Sequence, residues 1–286
     1  MKRLIAIITV IFLTGCSLET VRVKETPDVV VSIPPYVFLV QDIVGSTLSV
    51  SALLGANFDP HSAEVTPRQM KMVQNAHLFV GVGEAYEQKL LSVIGEEAKG
   101  VHILKMNERI PLLSYPEDTH FVHTCHAQST DLHFWLGPKS LISQVEVLID
   151  ALCALKPEHQ KLYQENGKAL IKKIQKLDQQ LENKLRPYEG RAIVVSHAAL
   201  GYFCHDYNLI QIAVECEGKS PLPQNISYAF DLARRYEAIC SFIAPQFDNK
   251  GAEAVGKALH LRIVSFDPLS ENIFETFEDL GNAITE

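Results

Sequence analysis

Between Pro157 and Pro187 the chain reads EHQKLYQENGKALIKKIQKLDQQLENKLR, a stretch that few folds accommodate. Leu170, Ile174, Leu177, Leu181 and Leu185 recur at intervals of three and four, which puts them on one face of a helix. Lys, Gln, Glu and Asn fill most other positions, and no Gly or Pro interrupts the run after Gly167. Pro157 suits the first helical turn and Pro187 ends the helix. At ~1.5 Å per residue such a helix spans ~42 Å, longer than an ordinary globular helix. A surface helix on one core, or a short coiled coil, would show the same period, so the flanks decide its role.

Each flank alternates strands and helices. On the amino-terminal side, apolar β-branched runs at 29–33, 48–54, 77–82 and 101–104 read as strands. Helical stretches at 36–44, 66–75 and 84–94 separate them. On the carboxyl-terminal side, strands are expected at 192–196, 209–214, 238–243 and 261–266, with helices at 227–236 and 252–259. The rhythm argues for parallel sheets with helices on both faces. The expected fold is therefore α/β, two lobes that are each a parallel sheet flanked by helices, joined by one long α-helix. Residues 28–156 form the first lobe, 157–187 the linking helix and 188–286 the second lobe. A rigid strut between lobes resists wide hinge opening.

In open parallel sheets, ligands bind beyond the carboxyl ends of the strands. His61 lies in such a place, in the segment GANFDPHSAEVTP after the second strand. Asp59 and Glu64 are its neighbours; Asp59 precedes Pro60 and suits a turn. The run HFVHTCHAQSTDLHFWLGP holds His120, His123, His126 and His133, four of the chain's eleven histidines. Tracts of this kind point to metal, because neutral imidazole is the commonest nitrogen donor. His120, His123 and His126 show no periodicity and read as an exposed accessory loop. His133 precedes Phe134, Trp135 and Leu136, apolar neighbours that would exclude water and hold an imidazole in place. Trp135 itself reads as core. In the second lobe His197 follows a strand as His61 does, and Asp267 ends the last strand in FDPL. Three imidazoles and one carboxylate make a four-coordinate sphere suited to zinc.

The first residues, MKRLIAIITVIFLTGC, join a basic pair to an apolar run of ten, too short for a membrane span and suited to an export signal. Leu13-Thr14-Gly15-Cys16 resembles a bacterial lipobox, which implies cleavage after residue 15 and lipidation of Cys16. Residues 16–27 would then be a tether, and the body would sit outside the cytoplasm, periplasmic or at the cell surface, anchored to a membrane. Loss of Lys2 and Arg3 moves the formal charge from −8 to −10. With no basic cluster carrying aromatics, that charge speaks against nucleic acid. At 47% hydrophobic and 21% charged residues, the chain can bury sizeable cores. Cys125, Cys153, Cys204, Cys216 and Cys240 remain after Cys16, with no CxxC. A disulfide is expected first among Cys204, Cys216 and Cys240, with the pair left open.

Five segments in order resemble the metal-binding lipoproteins and periplasmic proteins of ABC importers for zinc, manganese and iron. GANFDPHSAEVTP resembles the family's first-ligand motif, and NAHLFVGVGEAYE the strand that follows it. DLHFWLGP is similar to DPHxWLDP, SHAALGYF to the zinc-type HDAxGYF, and FDPL with FETFEDLGNAI to LDPL with its trailing helix. Leu132, Gly137 and His77 depart from the family's Pro, Asp and Asp. The resemblance implies a binding protein and not an enzyme: a monomer that captures a metal between its lobes with His61, His133, His197 and Asp267. It would deliver the ion to an ABC permease and its ATPase. Zinc is the expected cargo, with manganese or iron as the alternative. A zinc-dependent hydrolase with Glu64 as base is the rival from another class, opposed by the absence of HExxH and by a full set of four ligands. A surface adhesin on the same fold is a third reading.

Overall fold

A computed structural model describes residues 26–55, 58–60, 62–95, 100–114, 130–215 and 221–286. Cys16, His61, Cys125, Cys216 and the histidines at 120, 123 and 126 lie outside the described residues. The first four strands are β1 (Val29–Val31), β2 (Val50–Ala52), β3 (Leu78–Gly81) and β4 (His102–Lys105). They form a parallel sheet in the order β2-β1-β3-β4. The second sheet repeats this plan with β5 (Ala192–Val195), β6 (Ile210–Ala213), β7 (Cys240–Ile243) and β8 (Arg262–Ser265), in the order β6-β5-β7-β8. In both, the first strand sits between neighbours reached by crossovers in opposite directions. Ligands of such sheets bind in a crevice at that switch point, beyond the carboxyl ends.

Helices α1 (Pro35–Val44), α2 (Pro67–Gln74) and α3 (Ala85–Ile94) belong to the first sheet. Thr66 starts α2 with a capping box, its side chain taking Gln69 N–H while the Gln69 side chain returns to the Thr66 amide. Then come α4 (Pro138–Leu155) and α5 (Gln160–Leu185), followed by α6 (Gly201–Asp206), α7 (Pro223–Arg235), α8 (Lys250–Ala258) and α9 (Ile273–Thr285). The face of α5 expected from its spacing is the buried one: Leu170, Ile174, Leu177, Leu181 and Leu185, extended by Tyr163. Its partner goes beyond the sequence reading. α4 is not among the helices expected from the sequence, although Leu141, Val145, Leu148 and Leu152 carry a helical period, and α4 packs along α5.

One apolar core runs from β1 and β3 through α1, α4 and α5 to β5, β7 and α9. Smaller clusters lie on the outer face of each sheet, under α2 and α3 and under α7 and α8. The expected disulfide is corrected. Cys204 and Cys240 both carry free thiols, and every pairing among Cys204, Cys216 and Cys240 needs one of them. Burial raises the pKa of both, that of Cys240 to about 12.

Candidate metal centre

His197 follows β5 at the switch point of the second sheet and is 5% exposed. His133 arrives from the other half of the chain, just before the short 3-10 turn Phe134–Leu136 that leads into α4. The two rings meet with their Nε2 atoms 3.3 Å apart. Each ring has a buried carboxylate at its opposite nitrogen. Asp131 Oδ1 accepts from the His133 backbone N–H at 2.8 Å and faces His133 Nδ1 at 2.9 Å. An ionised carboxylate only accepts, so the His133 proton sits on Nδ1 and the Nε2 lone pair is turned toward His197. Glu215 Oε1 lies 3.6 Å from His197 Nδ1, an ion-pair separation longer than a hydrogen bond. Phe247 stacks on the His197 ring at 4.1 Å and 15°, and Trp135 lies 5.3 Å from His133.

Asp267 leaves the carboxyl end of β8 half-buried. Its Oδ1 accepts from Leu269 N at 2.8 Å and from Gln246 Nε2 at 2.7 Å. The next carbonyl, that of Pro268, accepts the Trp135 indole N–H at 2.9 Å. Trp135 is core, as expected, and it also ties the His133 segment to the Asp267 segment. A second bridge runs through Tyr202. Its hydroxyl donates to the Asp131 carbonyl at 3.0 Å and accepts from Leu113 N at 2.8 Å. Burial pushes the Tyr202 pKa up to about 12, so the hydroxyl keeps the proton it donates.

The structure brings His133 and His197 together and sets Asp267 in the adjoining loop. Among the described residues no three His, Cys, Asp or Glu side chains gather closely enough to hold an ion. Asp59 serves a turn, accepting from Ser62 N at 3.3 Å and Ser62 Oγ at 2.8 Å. Glu64 is exposed and lies 3.8 Å from Lys89 Nζ, which does not suit a buried general base. His77 sits at the amino end of β3, 3.6 Å from Asp28, on the edge away from the crevice. Sequence reasoning missed Asp131, Glu215, Gln246 and Phe247. Position alone could have flagged two of them, since Asp131 precedes His133 by two residues and Glu215 follows β6 by two.

The family described as zinc-uptake complex component A, periplasmic (ZnuA) matches residues 29–284. The chain belongs to the ZnuA family. ZnuA-family proteins are extracytoplasmic, divalent-metal-binding components of ABC importers, a class of binding proteins and not of enzymes. A relative in Chlamydia muridarum, named only provisionally as a metal-binding protein, is 29% identical over 93% of each chain. The zinc-binding lipoprotein AdcA of Streptococcus pneumoniae is 31% identical over 76% of this chain and 44% of its own length. A crystal structure of ZnuA superposes with a TM-score of 0.81 at 28% identity, covering 91% of this chain and 98% of that one. The ZnuA-like fold is the expected one, two α/β lobes with the long helix between them.

Proposed function

We propose that this chain captures zinc between its two lobes, through His61, His133, His197 and Asp267, and hands it to the permease of an ABC importer. The observation that carries the reading is the 3.3 Å separation of two Nε2 atoms, one from each half of the chain. Two imidazoles at ~2.0–2.1 Å from a tetrahedral ion stand ~3.3 Å apart. The Asp131 carboxylate behind His133 adds basicity and holds that ring's orientation, as partners of metal-bound histidines do. The family binds divalent metals, and AdcA is named for zinc. Three imidazoles with one carboxylate favour zinc over manganese, which takes oxygen-rich spheres. Manganese or iron is the alternative cargo.

In this reading residues 28–156 and 188–286 are the two binding lobes and 157–187 the link between them. His120, His123 and His126 gather metal at an accessory loop, and the protein works as a monomer beside its permease and ATPase. Cys16 carries the lipid that anchors it. Calorimetry on Ala variants of the four residues tests the site, each expected to weaken zinc by about tenfold or more. An unchanged titration for His197→Ala or Asp267→Ala would overturn the two-lobe site. Failure of the wild-type chain to take up labelled fatty acid in bacterial cells, relative to Cys16→Ala, would overturn the anchor.

A further inference from the structure

Asp267 is held unequally. The hydrogen bonds that Leu269 N and Gln246 Nε2 donate to its carboxylate both fall on one oxygen, Oδ1. A carboxylate only accepts, so Gln246 must turn its NH2 toward it. Each carboxylate oxygen has two in-plane lone pairs, and two donors at 2.7 and 2.8 Å engage both on Oδ1. Oδ2 is the oxygen left to face a cation. Gln246 is well placed to enforce this. It projects from a loop whose ends are pinned by Asn249, which accepts from Ala244 N at 3.0 Å and donates to Ala244 O at 2.9 Å. The next residue in that loop is Phe247, stacked on His197. A single tied loop therefore braces both candidate ligands of the second lobe.

We propose that Gln246 is a determinant of metal choice, because it keeps Asp267 a one-oxygen donor and stops the coordination sphere at four. The proposal rests on the reading of Asp267 as a ligand. Zinc in a closed site is satisfied by four tetrahedral donors. Manganese is harder and seeks octahedral, oxygen-rich surroundings. A carboxylate freed on Oδ1 could pivot to offer both oxygens, adding a fifth donor of the type manganese prefers. Holding one oxygen away therefore handicaps manganese more than zinc.

The test uses the full chain in detergent, with zinc and manganese ions as probes. Gln246→Leu keeps the side chain's bulk and removes the donor, and Gln246→Met serves if the branched residue disturbs folding. Competition titrations give the ratio of manganese to zinc dissociation constants. X-ray absorption on the zinc-loaded protein gives the number of nearest neighbours. Wild type should show four N/O neighbours, and either variant should shrink the ratio by about tenfold with added oxygen scattering. A wild-type sphere of five or more donors overturns the proposal, as does an equal loss of both affinities in the variants. Asp267→Ala is measured alongside. If it leaves both affinities unchanged, the ligand reading fails; if it weakens them while Gln246→Leu leaves their ratio fixed, only the role of Gln246 fails.

Discussion

Replacing Gly201 with Ala tests how closely the two halves must meet behind the metal centre. A Cβ at 201 would fall well inside van der Waals contact of Asp131 Oδ2 and 3.6 Å from its Cγ. Asp131 has little freedom to retreat. Its Oδ1 holds the His133 amide and ring, its N–H donates to Leu113 O at 2.8 Å, and its carbonyl takes the Tyr202 hydroxyl. Two reliefs are open. Asp131 can rotate, giving up a charged hydrogen bond worth about 1.5–3 kcal/mol. Otherwise α6 shifts, carrying Tyr202 with it, at an overpacking cost of about 1–3 kcal/mol. Either way the metal-free protein should lose about 1–3 kcal/mol in urea unfolding. Because His133 loses its brace in the first case and its lobe contact in the second, zinc affinity should fall about tenfold, or about 1.4 kcal/mol. Gly100→Ala is the control, since a Cβ there meets nothing within 4 Å among the described residues. Wild-type stability and affinity in Gly201→Ala would refute the argument. A stability loss without an affinity loss would refute the coupling of Asp131 to the metal site.

Two further outcomes are expected. Glu87 is buried and accepts from Val82 N at 2.9 Å, Gly83 N at 2.8 Å and the Ser32 hydroxyl, yet burial raises its pKa on balance. The folded chain therefore holds this proton to higher pH than the unfolded chain, and its contribution to stability is lost as pH rises through the raised value. Urea midpoints over about pH 4–6 should show that decline in wild type and a flatter trend in Glu87→Gln; equal slopes would contradict it. Second, the core shared by both lobes and α5 leaves little room for wide hinge motion. Small-angle scattering should show only a modest change in radius on adding zinc, and a large contraction would contradict this.

The fold was legible where one-dimensional periodicity carries the information. Leu170 to Leu185 defined the buried face of α5, and runs such as Ala192–Val195 and Leu78–Gly81 are buried along their whole length, as parallel strands between helices must be. The pairing of α4 with α5 was not legible, because a helical period shows that a face is buried and not what covers it. The site divides in the same way. His197 and Asp267 stood out because each follows a strand, and His133 because it closes a run of histidines and precedes apolar residues, features that one sequence displays. Glu215 and Gln246 gain their roles only from a ring and a carboxylate 18 and 21 residues away, brought near by crossovers between neighbouring strands. The cysteines misled for a similar reason. Three in one lobe suggested a bridge, but disulfide geometry depends on Cβ direction, which spacing does not reveal.

Gly137, where the resembling family has Asp, fits the same geometry. It stands at the N-cap of α4 and makes no side-chain cap bond there, a loss of a few tenths of a kcal/mol relative to Asp. A Cβ at 137 would lie 2.7 Å from Tyr202 Cβ. The missing side chain thus lets α6 lie directly against the start of α4, and from there the Tyr202 hydroxyl reaches Asp131 and Leu113. Gly137 and Gly201 come from opposite halves of the chain, and each lets the other half approach where a side chain would block it. Both contacts lie behind the histidine pair, at Tyr202 and at Asp131. The close packing of one half against the other at these two glycines thus supports the 3.3 Å approach of the two Nε2 atoms. At the proposed site a metal would find two imidazoles already at ligand spacing, so its binding energy need not be spent on bringing the lobes together.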